Sequence, residues 1–270
     1  MTIDFPSLNT LTFTEPESGI GVLQMNRPDR MNSQTVEMFH EYLVAGRALR
    51  DSGLRALIVT GSGERSFCAG FDLDEISVIT EMGVREFLKF QETATGGIQS
   101  IRHLPFPVIA AIHGPATGGG FALALAADIR LAAPTAKLSA AFVKVGLSIG
   151  ELGTSFNLAR LVGPARAAEI AFTARIVKAD EALRIGLVNH VVPSEQLLDE
   201  AMAMARLIAQ NSPGGVRMSK WAIQRNAEIG SYEAALELEN RGQALLTRTA
   251  DMPEALAAFK EKRAPQFTGR

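Results

Sequence analysis

Apolar and polar positions along this chain follow two periods. Short apolar runs bounded by glycine or proline recur through the first two-thirds, and helical spacing fills the gaps between them. Leu8 to Glu15 and Ile20 to Met25 are strand-like and are separated by Pro16 and Gly19, which predicts a hairpin. Ala56 to Thr60 and Val108 to Ile112 are continuously apolar, as strands buried on both faces are. Ile129 to Ala132, Lys137 to Ser139 and Val188 to Val192 read as shorter strands. A loop at Asn26 to Asn32 opens a helix, with Ser33 as its candidate cap and Val36, Phe39, Leu43 and Leu49 on one face. Another helix begins at Asp72 to Ile76, with acidic residues in its first turn. After a joint at Thr80 to Met82 comes a longer helix, Val84 to His103, interrupted by Gly96-Gly97. Further helices are predicted over 154–162, 165–173 and 179–185. From Ser194 to about Lys262 the pattern is helical, divided by Gly214-Gly215 and Gly230. Strands alternating with helices predict crossover connections and mostly parallel pairing. The chain therefore divides into an α/β part, residues 1–195, and a helical part, residues 196–270.

Composition narrows the class. A chain of 270 residues, 47% of them apolar, can bury a large core. A formal net charge of −2 gives no basic footprint for nucleic acid. No apolar run is long enough to span a membrane. The only cysteine, Cys68, excludes an internal disulfide and fits a reducing compartment. The start, MTIDFPSLNT, lacks the basic and apolar regions of a leader, so a cytoplasmic location is expected. No cluster has metal-ligand spacing, and no metal is expected. His113 ends the central strand and is expected to be hydrogen-bonded within the fold; His40 and His103 look structural, and His190 lies in a turn.

The chemistry concentrates in two glycine turns. Pro107 to Asp128, PVIAAIHGPATGGGFALALAAD, runs from a strand through Gly118-Gly119-Gly120 into a small-residue helix. Glycines let the backbone approach another molecule, and the first N–H groups of a helix have no internal partner. Such a turn can receive a phosphate, or an oxygen on which negative charge develops. The glycines can equally serve close helix packing. The second turn follows the strand at 56–60 and reads Ser66-Phe67-Cys68-Ala69-Gly70-Phe71-Asp72-Leu73. Two rival motifs are present. Gly146-Leu147-Ser148-Ile149-Gly150 matches the nucleophile elbow of serine hydrolases, with Asp180 and His190 later in suitable order. Gly61-Ser62-Gly63 is a fragment of a dinucleotide fingerprint, with Ser66 where the third glycine belongs.

With FCAGFDL at 67–73, PVIAAIHGPATGGGFALALAADIRLA at 107–132, LARLVGPARAAEIAFTAR at 158–175, ADEALRIGLVNHVV at 179–192 and AAFKEKRAPQF at 257–267, the sequence resembles the crotonase superfamily, the enoyl-CoA hydratase/isomerase family. The resemblance implies a crotonase-like ββα spiral core with the acyl-CoA site in residues 1–195, and a C-terminal helical trimerisation region in 196–270 that covers the CoA. It implies an acyl-CoA substrate, with coenzyme A as part of that substrate rather than a cofactor. The thioester carbonyl would sit between the backbone N–H groups of Phe71 and Gly119. Arg27, Ala69, Asp72, Leu73, Gly118 and Phe142 would line the substrate. Arg27 or Arg30 would meet a nucleotide phosphate or remain solvated. Phe87, Leu88, Phe90, Ile98 and Ile101 would form an apolar acyl pocket or simply core. In a homotrimer, or a hexamer of paired trimers, Lys262 would meet a CoA phosphate of a neighbouring subunit and Phe259 would pack near the pocket; otherwise Lys260, Lys262 and Arg263 are a solvated basic end.

One departure bears on the reaction. The two glutamates of hydratases fall at Ala122 and Phe142 here, and neither can act as acid or base. Glu151, in GLSIGELGTSF, matches the position of a catalytic aspartate in dienoyl-CoA isomerases and in 4-chlorobenzoyl-CoA dehalogenase. It is either that acid/base or an acidic residue at a helix start. A carboxyl in an apolar pocket can have its pKa raised, which suits a proton shuttle. The expected reaction is a double-bond shift in an enoyl-CoA. Hydration by Glu151 alone, hydrolysis or dehalogenase-like attack on the acyl group, and non-catalytic acyl-CoA binding remain as alternatives.

Overall fold

In the computed structural model, which describes residue 3 and residues 5–270 except the side chain of Val78, β1 (Leu11–Glu17) and β2 (Ile20–Met25) pair antiparallel. The hairpin is as read, but β1 runs on through Pro16, where the register shifts and frees the proline from the ladder. The leader reading rests partly on Met1, Thr2 and Asp4, which lie outside the described residues. The helix α1 (Val36–Arg50) is capped by Thr35, whose side chain accepts from the Met38 N–H. Ser33, the expected cap, instead donates to Asp72. The buried face of α1 carries Met38, Phe39, Tyr42, Ala45 and Leu49, with Val36 and Leu43 at its edge.

The chain continues through β3 (Ala56–Gly61), α2 (Ile76–Glu81), α3 (Val84–Arg102), β4 (Val108–Ile112), β5 (Pro115–Thr117), α4 (Gly119–Ala126), β6 (Ile129–Ala132) and β7 (Lys137–Ser139). It then forms α5 (Thr154–Val162), α6 (Pro164–Thr173), β8 (Val177–Lys178), α7 (Ala179–Arg184) and β9 (His190–Val191). Four helices end it: α8 (Leu197–Ala209), α9 (Pro213–Asn226), α10 (Tyr232–Leu246) and α11 (Asp251–Glu261). The main sheet has the order β1-β2-β3-β4-β6-β9 and is parallel from β2 onward. A second sheet, β5-β7-β8, stands beside it. Strands β5 and β8, at three and two residues, are too short to show a period in sequence.

The continuous apolar runs have a direct cause. Leu57, Val59, Val108, Ala110 and Ile112 face a core shared with α1, α3 and α4, while Ala56, Ile58, Ile109, Ala111 and Leu131 face Leu197, Ala201, Met202 and Ala205 of α8. A parallel sheet covered on both faces has no polar side to display. Every residue of α4 is buried, so it runs through the interior with its N-terminus fixed. Among the described residues no helix is long and apolar enough to cross a membrane.

Two glycine pairs act differently from their sequence reading. Gly96-Gly97 does not interrupt α3, which is continuous; the pair lies where α3 crosses α1. Gly214-Gly215 lies in the first turn of α9, and the chain breaks just before it. A Cβ on Gly97 would meet the Phe39 carbonyl oxygen at 2.7 Å and Tyr42 Cβ at 3.2 Å. One on Gly96 would meet only Leu43 Cδ2 at 3.4 Å. Alanine favours helix by up to about 1 kcal/mol over glycine, but overpacking against backbone costs about 1–3 kcal/mol. Gly97→Ala is therefore expected to destabilise the fold and Gly96→Ala to leave it unchanged or more stable. Urea unfolding of both variants checks this, and equal effects would refute the close crossing.

Candidate active site

The site is built where the two glycine turns meet. Cys68 N–H donates to the Pro115 carbonyl at 3.0 Å, and Thr117 N–H donates to the Cys68 carbonyl at 3.0 Å. This isolated parallel bridge, Cys68 with Ala116, holds the loop after β3 against β5. Gly70 has φ +100°, and a Cβ there would lie 2.8 Å from the Thr117 carbonyl oxygen and 3.7 Å from Gly119 N. Only glycine combines that backbone with that approach.

A second bridge orients Phe71. Gln34 N–H donates to the Gly70 carbonyl at 2.7 Å, and Asp72 N–H donates to the Gln34 carbonyl at 2.8 Å. In a parallel ladder the residue between two bonded neighbours turns its own N–H to the other side. Among the described residues neither the Phe71 nor the Gly119 N–H donates to a partner. Unpaired N–H groups are rare in a fold. Two of them on adjoining turns, one at the N-terminus of a buried helix, can receive an oxygen carrying negative charge.

Around these donors the surface is largely apolar. The Phe71 ring stacks on Phe39 at 6.2 Å and meets Phe90 edge-on at 5.7 Å, and Phe87 lies 6.1 Å from Phe90. Of the proposed acyl wall, Phe87 and Phe90 reach this cluster, Ile98 and Ile101 are core, and Leu88 points outward, 57% exposed. Phe142 is buried, with a ring carbon 4.0 Å from where a Gly118 Cβ would stand, and Ala122 is buried in α4. Ala69 is tied to Met31 by its N–H, while Leu73 is open to solvent.

Glu151 arrives from the turn before α5. Its carbonyl accepts from Thr154 N–H at 2.8 Å, and the next residue, Leu152, takes φ +50°. A left-handed leucine is uncommon and marks a constrained turn. Leu152 Cδ1 would lie 3.4 Å from a Cβ on Gly119, so this turn packs against the α4 N-terminus. Glu151 is half-buried. Burial raises its pKa, and the Gln91 side chain on α3, which faces it, lowers it by less. Sequence reading missed Gln91. Its signal was a polar residue one turn after Phe87 on an otherwise apolar stripe.

Asp72 is a hub within the fold. Its carboxylate accepts from Ser33 Oγ at 2.9 Å and pairs with Arg27 Nη1 at 2.9 Å and Arg30 Nη2 at 3.0 Å. Burial opposes its ionisation, but the bonds from Arg30, Ser33, the Asp74 N–H and Arg27 prevail and hold its pKa well below the usual carboxylate range. Arg27 Nη1 also donates to the Ser33 carbonyl, and Arg30 pairs with Asp74. At the other end of the chain, Lys262 closes α11 with φ +54°, and Phe259 is 84% exposed.

The remaining candidates fall away from this centre. Ser148 is exposed in a loop and accepts from Gly150 N–H; no strand leads into it, and His190 and Asp180 are exposed, so the elbow reading fails. A Cβ on Gly61 would meet the Phe67 carbonyl at 2.4 Å and Asn32 Nδ2 at 2.5 Å, so the chain itself fills that turn. Cys68 is buried and its thiol is pushed up to about 12 by burial, which makes it inert. His113 approaches Thr60 through Nδ1 at 3.4 Å, while its buried Nε2 has no partner among the described residues; His40, His103 and His190 are exposed. A cavity of about 640 Å³, lined by Asp128, Arg130, Phe156 and Lys220, lies apart: Phe71, Gly119 and Glu151 are not in its wall.

The family model for enoyl-CoA hydratase/isomerase matches residues 15–270. A short-chain-enoyl-CoA hydratase of Clostridium acetobutylicum is 39% identical over 250 residues, 92% of this chain and 94% of that protein. A 1,2-epoxyphenylacetyl-CoA isomerase of Escherichia coli is 37% identical over 256 residues, 94% and 97% of the two chains. The crystal structure of an enoyl-CoA hydratase from Bacillus anthracis superposes with a TM-score of 0.92 at 33% identity, covering 97% of this chain and all of that one.

The Asp72 hub has a measurable signature. Removing its charge by Asp72→Asn takes from Arg27 its ion-pair partner and from Arg30 the buried one of its two, and is expected to cost about 1–3 kcal/mol at neutral pH. Because the folded pKa is depressed, the contribution is complete above the unfolded value and is lost as pH falls below it. Urea unfolding of wild type and variant should show a gap at neutral pH that narrows at about pH 2.5. A gap that stays constant would refute the ion-pair account.

Proposed function

The chain belongs to the enoyl-CoA hydratase/isomerase family, and from that premise we propose that it shifts the double bond of an enoyl-CoA, with Glu151 as the single acid/base. Enzymes of this family act on acyl-CoA thioesters as lyases or isomerases. In the proposed reaction the thioester oxygen lies between the N–H groups of Phe71 and Gly119. Glu151 takes the α-proton, and the electron pair moves onto the thioester as a dienolate. The donors stabilise that charge more strongly than the neutral carbonyl, which is what accelerates the step. The same carboxyl then returns the proton at the γ-carbon, so the product is an isomer and no cofactor is consumed. Coenzyme A stays attached as part of the substrate.

The observation that carries the choice is the pairing of Ala122 and Phe142 with one half-buried carboxyl. Hydration needs a water held and deprotonated as it adds, and a proton delivered to the α-carbon, and neither residue can do either. A raised pKa brings Glu151 nearer to working pH, where a proton shuttle is most effective. The E. coli relative named as an isomerase supports this reading, and the clostridial hydratase marks the alternative.

Glu151→Gln keeps the size and removes the base. Exchange of α-protons of bound enoyl-CoA in deuterated buffer, followed by NMR, should fall at least about a hundredfold while affinity changes little. Wild-type activity should be lost as pH falls through a value above the ordinary 4.5 of glutamate, because the base must be ionised. Unchanged exchange in the variant would move the base elsewhere. Binding without turnover in the wild type would favour a non-catalytic acyl-CoA protein.

We also propose that α8 to α11 serve assembly as a homotrimer, able to pair into a hexamer. Helix α10 has no buried residue, and Leu245, Ile223 and Phe259 are exposed, an apolar surface that a second copy would cover. In that arrangement Phe259 and Lys262 reach the CoA of a neighbour. Deleting residues 254–270 should lower the mass seen by light scattering and weaken CoA affinity in calorimetry. A monomeric wild type, or an unchanged truncation, would refute this.

A further inference from the structure

Gln34 is wholly buried, at 0% exposure, yet it is polar and its Oε1 has no hydrogen-bond partner among the described residues. An unsatisfied buried amide oxygen is destabilising, and an apolar side chain of similar length would remove the penalty. Stability alone therefore does not account for a glutamine here. Its contacts supply another account. Through its main chain it binds Gly70 and Asp72, the residues on either side of Phe71. Through its side chain it reaches the other turn: Nε2 donates to the Gly119 carbonyl in a long bond of 3.4 Å. Its Oε1 sits where a Cβ on Gly119 would come within 2.0 Å.

We propose that Gln34 is a positioning residue that sets the gap between the Phe71 and Gly119 N–H donors. This rests on the reading that those donors hold the thioester oxygen. One residue touches both turns, so its side chain transmits the position of one to the other. Donors of this kind work within a window of a few tenths of an ångström, so a small change in the gap weakens the polarisation of the bound carbonyl. Gln34 acts through Gly119 and does not touch substrate.

The test uses crotonyl-CoA labelled with carbon-13 at the thioester carbonyl. Its carbonyl stretch, measured bound to wild type by difference infrared spectroscopy, should move to lower frequency. In Gln34→Met, which keeps length and removes both polar atoms, that shift should shrink by about half or more while affinity stays within about threefold. A wild-type complex with no shift removes the donor reading and this proposal with it. A shift in wild type that Gln34→Met reproduces in full overturns only the role of Gln34. Gln34→Glu provides a second variant if the methionine form does not fold. Its carboxylate repels the Gly119 carbonyl, whereas its protonated form can donate to it. The band should thus approach the wild-type position as pH is lowered; a band in Gln34→Glu that ignores pH refutes the proposal.

Discussion

The site depends on one pair of backbone hydrogen bonds, those joining Cys68 to Pro115 and Thr117. They fasten the loop that leaves β3 to β5, the short strand that follows the neighbouring parallel strand β4. Everything near them is small or buried because there is no room for more. A Cβ on Gly120 would strike the Cys68 carbonyl at 2.3 Å, and one on Gly70 the Thr117 carbonyl. The buried Cys68 thiol belongs to this packing and not to chemistry, as its raised pKa makes clear. Side chains elsewhere can vary while the two donors keep their places, since main-chain atoms supply both the bridge and the donors.

The sheet explains why the bridge is rigid. Strands β3 and β4 are buried on both faces, by α1, α3 and α4 on one side and α8 on the other. Their ends are therefore fixed by a core and not by loops alone. Helix α4 starts at such an end and is buried along its length, so its first N–H groups are held at a constant angle to the loop carrying Phe71. A site supported on rigid elements keeps its geometry better than one built on loops.

Much of this was legible in sequence, for physical reasons. Strands β3 and β4 and the glycine turn before α4 were readable because continuous apolar runs and clustered glycines have few other uses. Helix α5 was placed at its observed bounds, Thr154–Val162, because its apolar positions are regular. Sequence misled where a residue's partner is remote. Ser33 looks like a cap until Asp72, thirty-nine positions away, takes its hydroxyl. Gly96-Gly97 looks like a break because the crossing with α1 is invisible in one dimension. Gln34 and Gln91 carried little signal, since a lone polar residue near a helix start or on a helix face is ordinary until its burial is known. The candidate site was proposed through the resemblance; the spacing of its glycines alone left packing and binding open.

On the proposed reading, the absence of carboxylates at positions 122 and 142 changes the electrostatics as well as the acid–base chemistry. Carboxylates at positions 122 and 142 would place negative charge beside the N-terminus of α4, where the helix presents partial positive charge. Ala122 and Phe142 leave that end uncompensated by any side chain of theirs, in surroundings formed largely by phenylalanine rings. Low local polarity strengthens what remains, so the dipole acts on an enolate oxygen more fully than it would beside two anions. Burial likewise raises the pKa of Glu151, which makes it a stronger base toward a substrate carbon acid. On the proposed reading, an apolar wall thus serves both partners of one proton transfer: it leaves the donors strong and makes the base stronger. A second carboxylate would weaken the first effect, which is why a single-base double-bond shift fits this site better than two-carboxylate hydration.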